Sequence, residues 1–193
     1  MSQPKTSTEG AITEGAMQKR IIYYLRIQFP NVVFFANPFS ELKLKGPPRY
    51  KAKVLAGMKE QGWEKDTPDI HIAHKGRGYS GLSLELKRSI KEMPTYYMPR
   101  KKCLQIINKG ANGMFSDKVN HLRGQALKLH RLSQAGNLAL FECDERNIID
   151  IIKWYLSISV GYDMKPSVKT EFKMRNERGK YEAVKIWALD KCK

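Results

Sequence analysis

The sequence predicts an α/β domain in which a mixed central sheet is flanked by helices. Two short runs near the middle alternate apolar and polar residues with the period of a strand, Asp69-Ile-His-Ile-Ala73 and Gly81-Leu-Ser-Leu-Glu-Leu-Lys87. Two longer segments, 12–28 and 117–134, space apolar residues three and four apart, as helices with one buried face do. Between about residue 14 and residue 156 helix-like and strand-like runs are interspersed, which suits layered α/β packing.

At 193 residues with 41% hydrophobic content, the chain suits one soluble domain with a real core. Its formal net charge of +16 is a large excess that attracts polyanions, nucleic-acid backbones foremost. Charge names the partner's sign and not its identity. The stretch 148–160 comes nearest to a membrane span, but it is too short and carries Asp150 and Lys153. The polar opening residues lack the apolar run of a signal peptide. Cys103, Cys143 and Cys192 are odd in number and widely separated, which suits reduced thiols in a cytoplasmic setting. No membrane association is expected. The organisation expected is a disordered N-terminus over 1–10, a domain over 11–160 and a basic C-terminal extension over 161–193.

In order, a helix is expected from Ile12 to Gln28, stopped by Pro30. Glu14 lies in line with Gln18, Ile21 and Leu25 on its inward stripe; the plain alternative is an acid favouring the positive helix end. Asn31–Asn37 reads as a β-branched and aromatic first strand. Pro38–Lys53 reads as a loop dense in cations. Its Lys43, Lys45, Arg49, Lys51 and Lys53 are either backbone-phosphate contacts or a solvated charged face. A short helix is expected over Val54–Gln61, stopped by Gly62.

The two alternating strands follow. Same-face neighbours in a strand stand roughly 6.5 Å apart, so Leu82, Leu84 and Leu86 share a core face while Glu85 and Lys87 share the other. If the strands are adjacent, about 4.8 Å apart, Asp69 and Glu85 reach a single cation and Lys87 stands beside it. A hard ion such as Mg²⁺ prefers such oxygen ligands; a neighbouring lysine orients and helps activate the attacking water of a phosphodiester hydrolysis. An exposed strand-edge ion pair is the plain alternative. His71 shares Asp69's face and reads as a surface histidine.

From Arg88 to Ser116 the chain is basic, aromatic and turn-rich. Arg88, Tyr96, Tyr97, Arg100, Lys101 and Lys102 suit nucleic-acid contact, with the tyrosines stacking on bases; an ordinary loop packing Tyr96 and Tyr97 on the body explains them equally well. A helix over Asp117–Gln134 carries Val119, Leu122, Ala126, Leu129 and Leu132, with Gln125 at the edge of that stripe. Gly136-Asn137 ends it, Leu138–Cys143 is the next strand, and Asp144 caps a helix over Ile148–Ile158. Tyr181–Leu189 reads as either strand or helix.

Pro68-Asp69 followed by Glu85-Leu86-Lys87 resembles the signature of the PD-(D/E)XK nuclease superfamily, and the wider order of elements from about Glu14 to Leu156 resembles its VRR-NUC (virus-type replication-repair nuclease) branch. The resemblance implies a restriction-endonuclease-like core with the site at the sheet's edge. It also implies a metal-dependent DNA endonuclease acting as a homodimer on branched DNA in the manner of Holliday-junction resolvases, in a host's cytoplasm if the protein is viral. A flap or nicking nuclease of replication and repair is the alternative enzyme, and a non-catalytic nucleic-acid-binding module the alternative of another class. By resemblance, Asp69, Glu85 and the backbone carbonyl of Leu86 bind Mg²⁺ or Mn²⁺, Lys87 activates water, and Glu14 and Gln125 support the site. Two departures stand out: Asp66, an extra acid that either crowds the metal or adds a ligand, and the long 88–124 stretch before Gln125.

Overall fold

The computed structural model describes residues 13–37, 47–60, 66–94, 117–157, 161, 163–175 and 181–192. Helix α1 spans Glu14–Gln28. Thr13 caps it, its Oγ1 accepting from Ala16 N at 3.2 Å, and Arg26 sits in the last turn, favourable at the negative end. Met17, Ile21 and Leu25 recur every four residues and are buried on one face. The backbone then turns through Phe29 and Pro30 into β1 (Phe34–Ala36). Of the seven residues expected as strand, these three form a ladder with residues 70–72, and Val33 O and Asn37 N add one hydrogen bond each at its ends, to Ala73 N and Asp69 O.

Helix α2 (Pro48–Glu60) begins on a proline, which suits a first helical position because the missing N–H would be unpaired there anyway. It starts six residues before the short helix expected at Val54. Arg49, Lys51 and Lys53 therefore stand exposed on a helix and not in a loop.

Strands β2 (Ile70–Ile72) and β3 (Leu82–Leu86) pair antiparallel, with Ile70 opposite Leu84. β3 runs parallel to β4 (Leu138–Glu142) after a crossover through helix α3 (Asp117–Gln134). Gly136, at φ 87°, gives the chain the left-handed turn that ends α3. Helix α4 (Glu145–Tyr155) follows, capped by Asp144, whose Oδ1 accepts from Asn147 N at 2.8 Å. It begins three residues earlier than expected because the cap sits directly before it.

The C-terminal segment forms two long strands, β5 (Asp163–Arg175) and β6 (Tyr181–Cys192), paired antiparallel. β6 joins β4 in parallel at Leu140 and Trp187. The sheet order is β1-β2-β3-β4-β6-β5. The segment expected as a basic extension thus adds two strands to the sheet, with Met164, Val184 and Ile186 buried in its cores.

Two apolar clusters lie on the two faces of this sheet. On one, Ile70, Ile72, Leu82, Leu84, Leu86, Leu138 and Leu140 pack with α1 and α4. On the other, Ala139, Phe141, Val184 and Ile186 pack with Leu122, Ala126 and Leu129 of α3. The result is a mixed α/β sheet between helical layers, the restriction-endonuclease-like arrangement expected. No helix among the described residues is long and apolar enough to cross a membrane.

Leu84 lies fully buried at the middle of β3, opposite Ile70 and Leu140. Leu84→Ala is expected to lower stability by about 2–5 kcal/mol, the cost of lost burial plus a residual cavity. Urea unfolding checks this as a lower midpoint at unchanged slope.

Candidate active site

β3 is flanked by β2 and β4, so the site lies at the C-terminal end of an internal strand and not at the sheet's edge. The antiparallel register that sets Ile70 opposite Leu84 brings Asp69, one step further, level with Glu85. Asp69 is held on both sides. Its Oδ2 accepts from the Leu86 backbone N–H at 2.8 Å. Its carbonyl accepts from Asn37 N at 2.9 Å and from Gln18 Nε2 at 2.8 Å. Asn37 Nδ2 in turn donates to Thr67 O at 3.2 Å, so α1 and the end of β1 fix the turn that carries Asp69.

Glu85 Oε1 accepts two hydrogen bonds, from Lys87 Nζ at 2.9 Å and from Gln125 Nε2 of α3. Lys87 Nζ also lies 5.8 Å from the centre of the Phe141 ring, within cation–π range. Glu85 is 2% exposed, Asp69 6% and Lys87 7%. Those values exclude the exposed surface ion pair. Parallel pairing with β4 on one side and α3 above remove this polar face from water.

Burial pushes the Glu85 carboxyl well above its usual range; Asp69's charge adds to that and Lys87 opposes it. Burial raises Asp69 as well, against the pull of the Leu86 N–H, of Lys87 and of a hydrogen bond from Glu85. Two acids this close in a dry site resist full ionisation together. Glu14, half-buried at the first position of α1, is also raised by burial, with Lys87 opposing and Asp69 reinforcing. Its charge is thus coupled to those of Lys87 and Asp69.

This donor set fits a hard divalent ion. Asp69 and Glu85 supply paired anionic oxygens, and such an ion retains waters to fill its remaining positions. Gln125 Oε1 is buried without a hydrogen-bond partner among the described residues, an acceptor such a water would satisfy. Among the described residues no three His, Cys, Asp or Glu side chains are grouped closely enough to hold a metal ion, and Asp69 and Glu85 are the side chains that would hold one here.

The other expected residues divide three ways. Arg88, directly after the site, is exposed, with its guanidinium gripped by Glu92: Nε lies 3.2 Å from Oε2, and Nη2 bonds Oε1. Arg49, Lys51 and Lys53 are exposed on α2. Lys43, Lys45, Tyr96, Tyr97, Arg100, Lys101 and Lys102 lie outside the described residues. His71 is half-buried, its Nδ1 2.9 Å from Ser83 Oγ, and burial lowers its pKa. Its partner across the sheet is Ser83, not the carboxylates, which corrects the surface reading.

Sequence reasoning overlooked what Gln18 and Asn37 do. Gln18 already stood in the buried stripe of α1, and a polar residue there signals a buried backbone group to be satisfied. Phe141 carried no signal of its own.

No family model and no curated protein sequence matches this chain. Among solved structures the chain is similar to a VRR_NUC domain protein, with a TM-score of 0.43 and 18% identity, over 77% of this chain and 92% of that one.

Proposed function

We propose that this protein is a metal-dependent DNA endonuclease that hydrolyses phosphodiester bonds. The observation that carries the reading is the buried pair Asp69 and Glu85, with Lys87 Nζ 2.9 Å from Glu85 Oε1. Two carboxylates that share a single lysine in a site closed to water leave negative charge there when ionised, and a bound divalent cation would offset it. Mg²⁺ or Mn²⁺ held there supplies Lewis-acid polarisation of the phosphoryl oxygen and neutralises the charge that develops on it.

The chain's own groups do the remaining work. The Leu86 N–H occupies Asp69 Oδ2 and fixes the carboxylate's orientation. Gln125 and Lys87 together hold Glu85 Oε1, so Glu85 cannot swing away as the substrate enters. Lys87 is placed to position the attacking water and to meet negative charge on the phosphate. Glu14 brings a further carboxylate from α1 toward the same centre, as a supporting acid. By the resemblance, the carbonyl of Leu86 adds a neutral oxygen ligand.

The substrate proposed is branched DNA, four-way junctions above all, cut by a homodimer that sets one site on each of two strands. Support comes from the resemblance and from the net charge of +16. The cationic segments 42–53 and 88–109 flank the motif in sequence, a charge distribution that suits phosphate contacts to two arms of a junction. A panel of immobile junction, flap, single-stranded and matched duplex DNA at equal ionic strength, with Mg²⁺, Mn²⁺ or EDTA, tests this. The expected order is junction fastest and no cleavage in EDTA. Equal rates on all substrates would remove the branched-DNA reading and leave a plainer endonuclease. Tight binding without cleavage under any metal would replace the enzyme with a binding module.

A further inference from the structure

Asp66 opens the turn that ends in Asp69, and the reading above gives it no part. Its φ is 64°, a left-handed conformation that aspartate tolerates better than most residues. Its carboxylate lies against α3. Oδ1 is buried 2.6 Å from His121 Nδ1, a close polar contact without hydrogen-bond geometry. A Cβ on Gly124 would overlap Oδ2 and stand 2.7 Å from Cγ. Glycine inside a helix is unfavourable relative to alanine; here it leaves room for the carboxylate on the helix surface. His121 and Gly124 belong to one turn of α3, and the next residue is Gln125, which donates to Glu85.

We propose that Asp66 is a positioning residue: by seating on Gly124 and His121 it fixes the height of α3 over the sheet and so delivers Gln125 to Glu85. The four residues Asp66–Asp69 then couple two parts of one centre, with Asp69 at one end and the grip on α3 at the other. This also accounts for Asp66 as neither a crowding acid nor a metal ligand, since its carboxylate is engaged by the helix. The consequence for catalysis rests on the nuclease reading; the geometry does not.

The Gln125 side-chain amide signal in the metal-free protein, assigned by its loss in Gln125→Ala, tests the geometry by NMR. Asp66→Gly removes the carboxylate while keeping the positive φ accessible. Gly124→Ala evicts the carboxylate while raising helix propensity, and a thermal melt of the variant separates loss of the contact from loss of fold. In both, the Gln125 amide is expected to shift to the position of a free amide. In Asp66→Asn, which keeps the shape that packs on Gly124, it is expected to stay near its original position. An unmoved signal in folded Asp66→Gly and Gly124→Ala would overturn the proposal; should Asp66→Gly fail to fold, Gly124→Ala decides alone. In cleavage, both variants are expected to lose about ten- to a hundredfold in kcat at unchanged KM. Asp66→Gly should add nothing in a Gln125→Ala background, because both act on one contact. Fully additive losses would overturn the route through Gln125. A wild type that cuts no DNA would instead fall on the nuclease reading, and the amide signal would still decide this one.

Discussion

Glu85→Gln and Asp69→Asn are each expected to reduce metal-dependent cleavage on the order of a thousandfold or more, with DNA affinity retained. The magnitude follows from the several kcal/mol that a coordinated cation contributes to transition-state charge, at tenfold per 1.4 kcal/mol. Affinity survives because the cationic surface is untouched. The amide variants are the sharper probes. Glu85→Ala strips Lys87 of the carboxylate 2.9 Å from its Nζ, and breaking a buried pair from one side costs about 3–5 kcal/mol. Activity lost through unfolding would then be mistaken for chemistry. Gel-resolved single-turnover cleavage beside a binding titration separates the two effects, and wild-type rates in both amide variants would leave the nuclease reading without its centre.

The same pair predicts a signature that needs no substrate. Burial raises the folded-state pKa of Glu85 and Asp69 above their unfolded values. Above the ordinary carboxylate range the folded protein therefore holds more protons than the unfolded chain, and metal-free stability falls as pH rises. Glu85→Gln, which has no proton to lose there, should flatten that fall. Mg²⁺ should oppose it in the wild type, by about 2.7 kcal/mol at a hundred times its dissociation constant. Thermal melts in EDTA and in Mg²⁺ across the neutral range measure both. A wild-type melting point indifferent to divalent ions would count against the metal.

The sheet's centre was legible because its residues carry two independent periodicities. Leu82, Leu84 and Leu86 alternate with Ser83, Glu85 and Lys87, and only a strand separates those sets. That the second set is also buried was not legible, since alternation ordinarily marks one wet face; the covering helix α3 comes from about 30 residues downstream. β6 escaped for a related reason. Val184 and Ile186 pack toward α3, while Trp187 and Leu189 pack on the opposite cluster, so both faces are apolar and no period stands out. The contact of Asp66 with Gly124 joins residues 58 apart, which no local pattern encodes. Gln18 and Gln125 were visible as polar residues in apolar stripes, but their partners were not, because those depend on the register between layers.

Lys87→Met is expected to lower the single-turnover rate by about 10²–10⁴-fold, the usual contribution of a positioned acid–base group, while leaving DNA binding in place. Methionine keeps most of the side chain's packing, which matters beside the Phe141 ring. Lys87→Arg should not rescue. The lysine side chain is only 8% exposed and lies between Glu85 and Phe141, and a planar guanidinium there has a different reach and hydrogen-bond geometry from a compact ammonium. The guanidinium also stays protonated, so it has no proton to exchange with water. The two explanations of Lys87 part here. If it only neutralises phosphate charge, arginine should restore much of the rate; if it positions and activates the water, arginine should resemble methionine. Near-normal turnover in Lys87→Arg would therefore reduce this residue to a counter-charge and move water activation to another group, with Glu14, whose charge is coupled to Lys87 and Asp69, as the first to test.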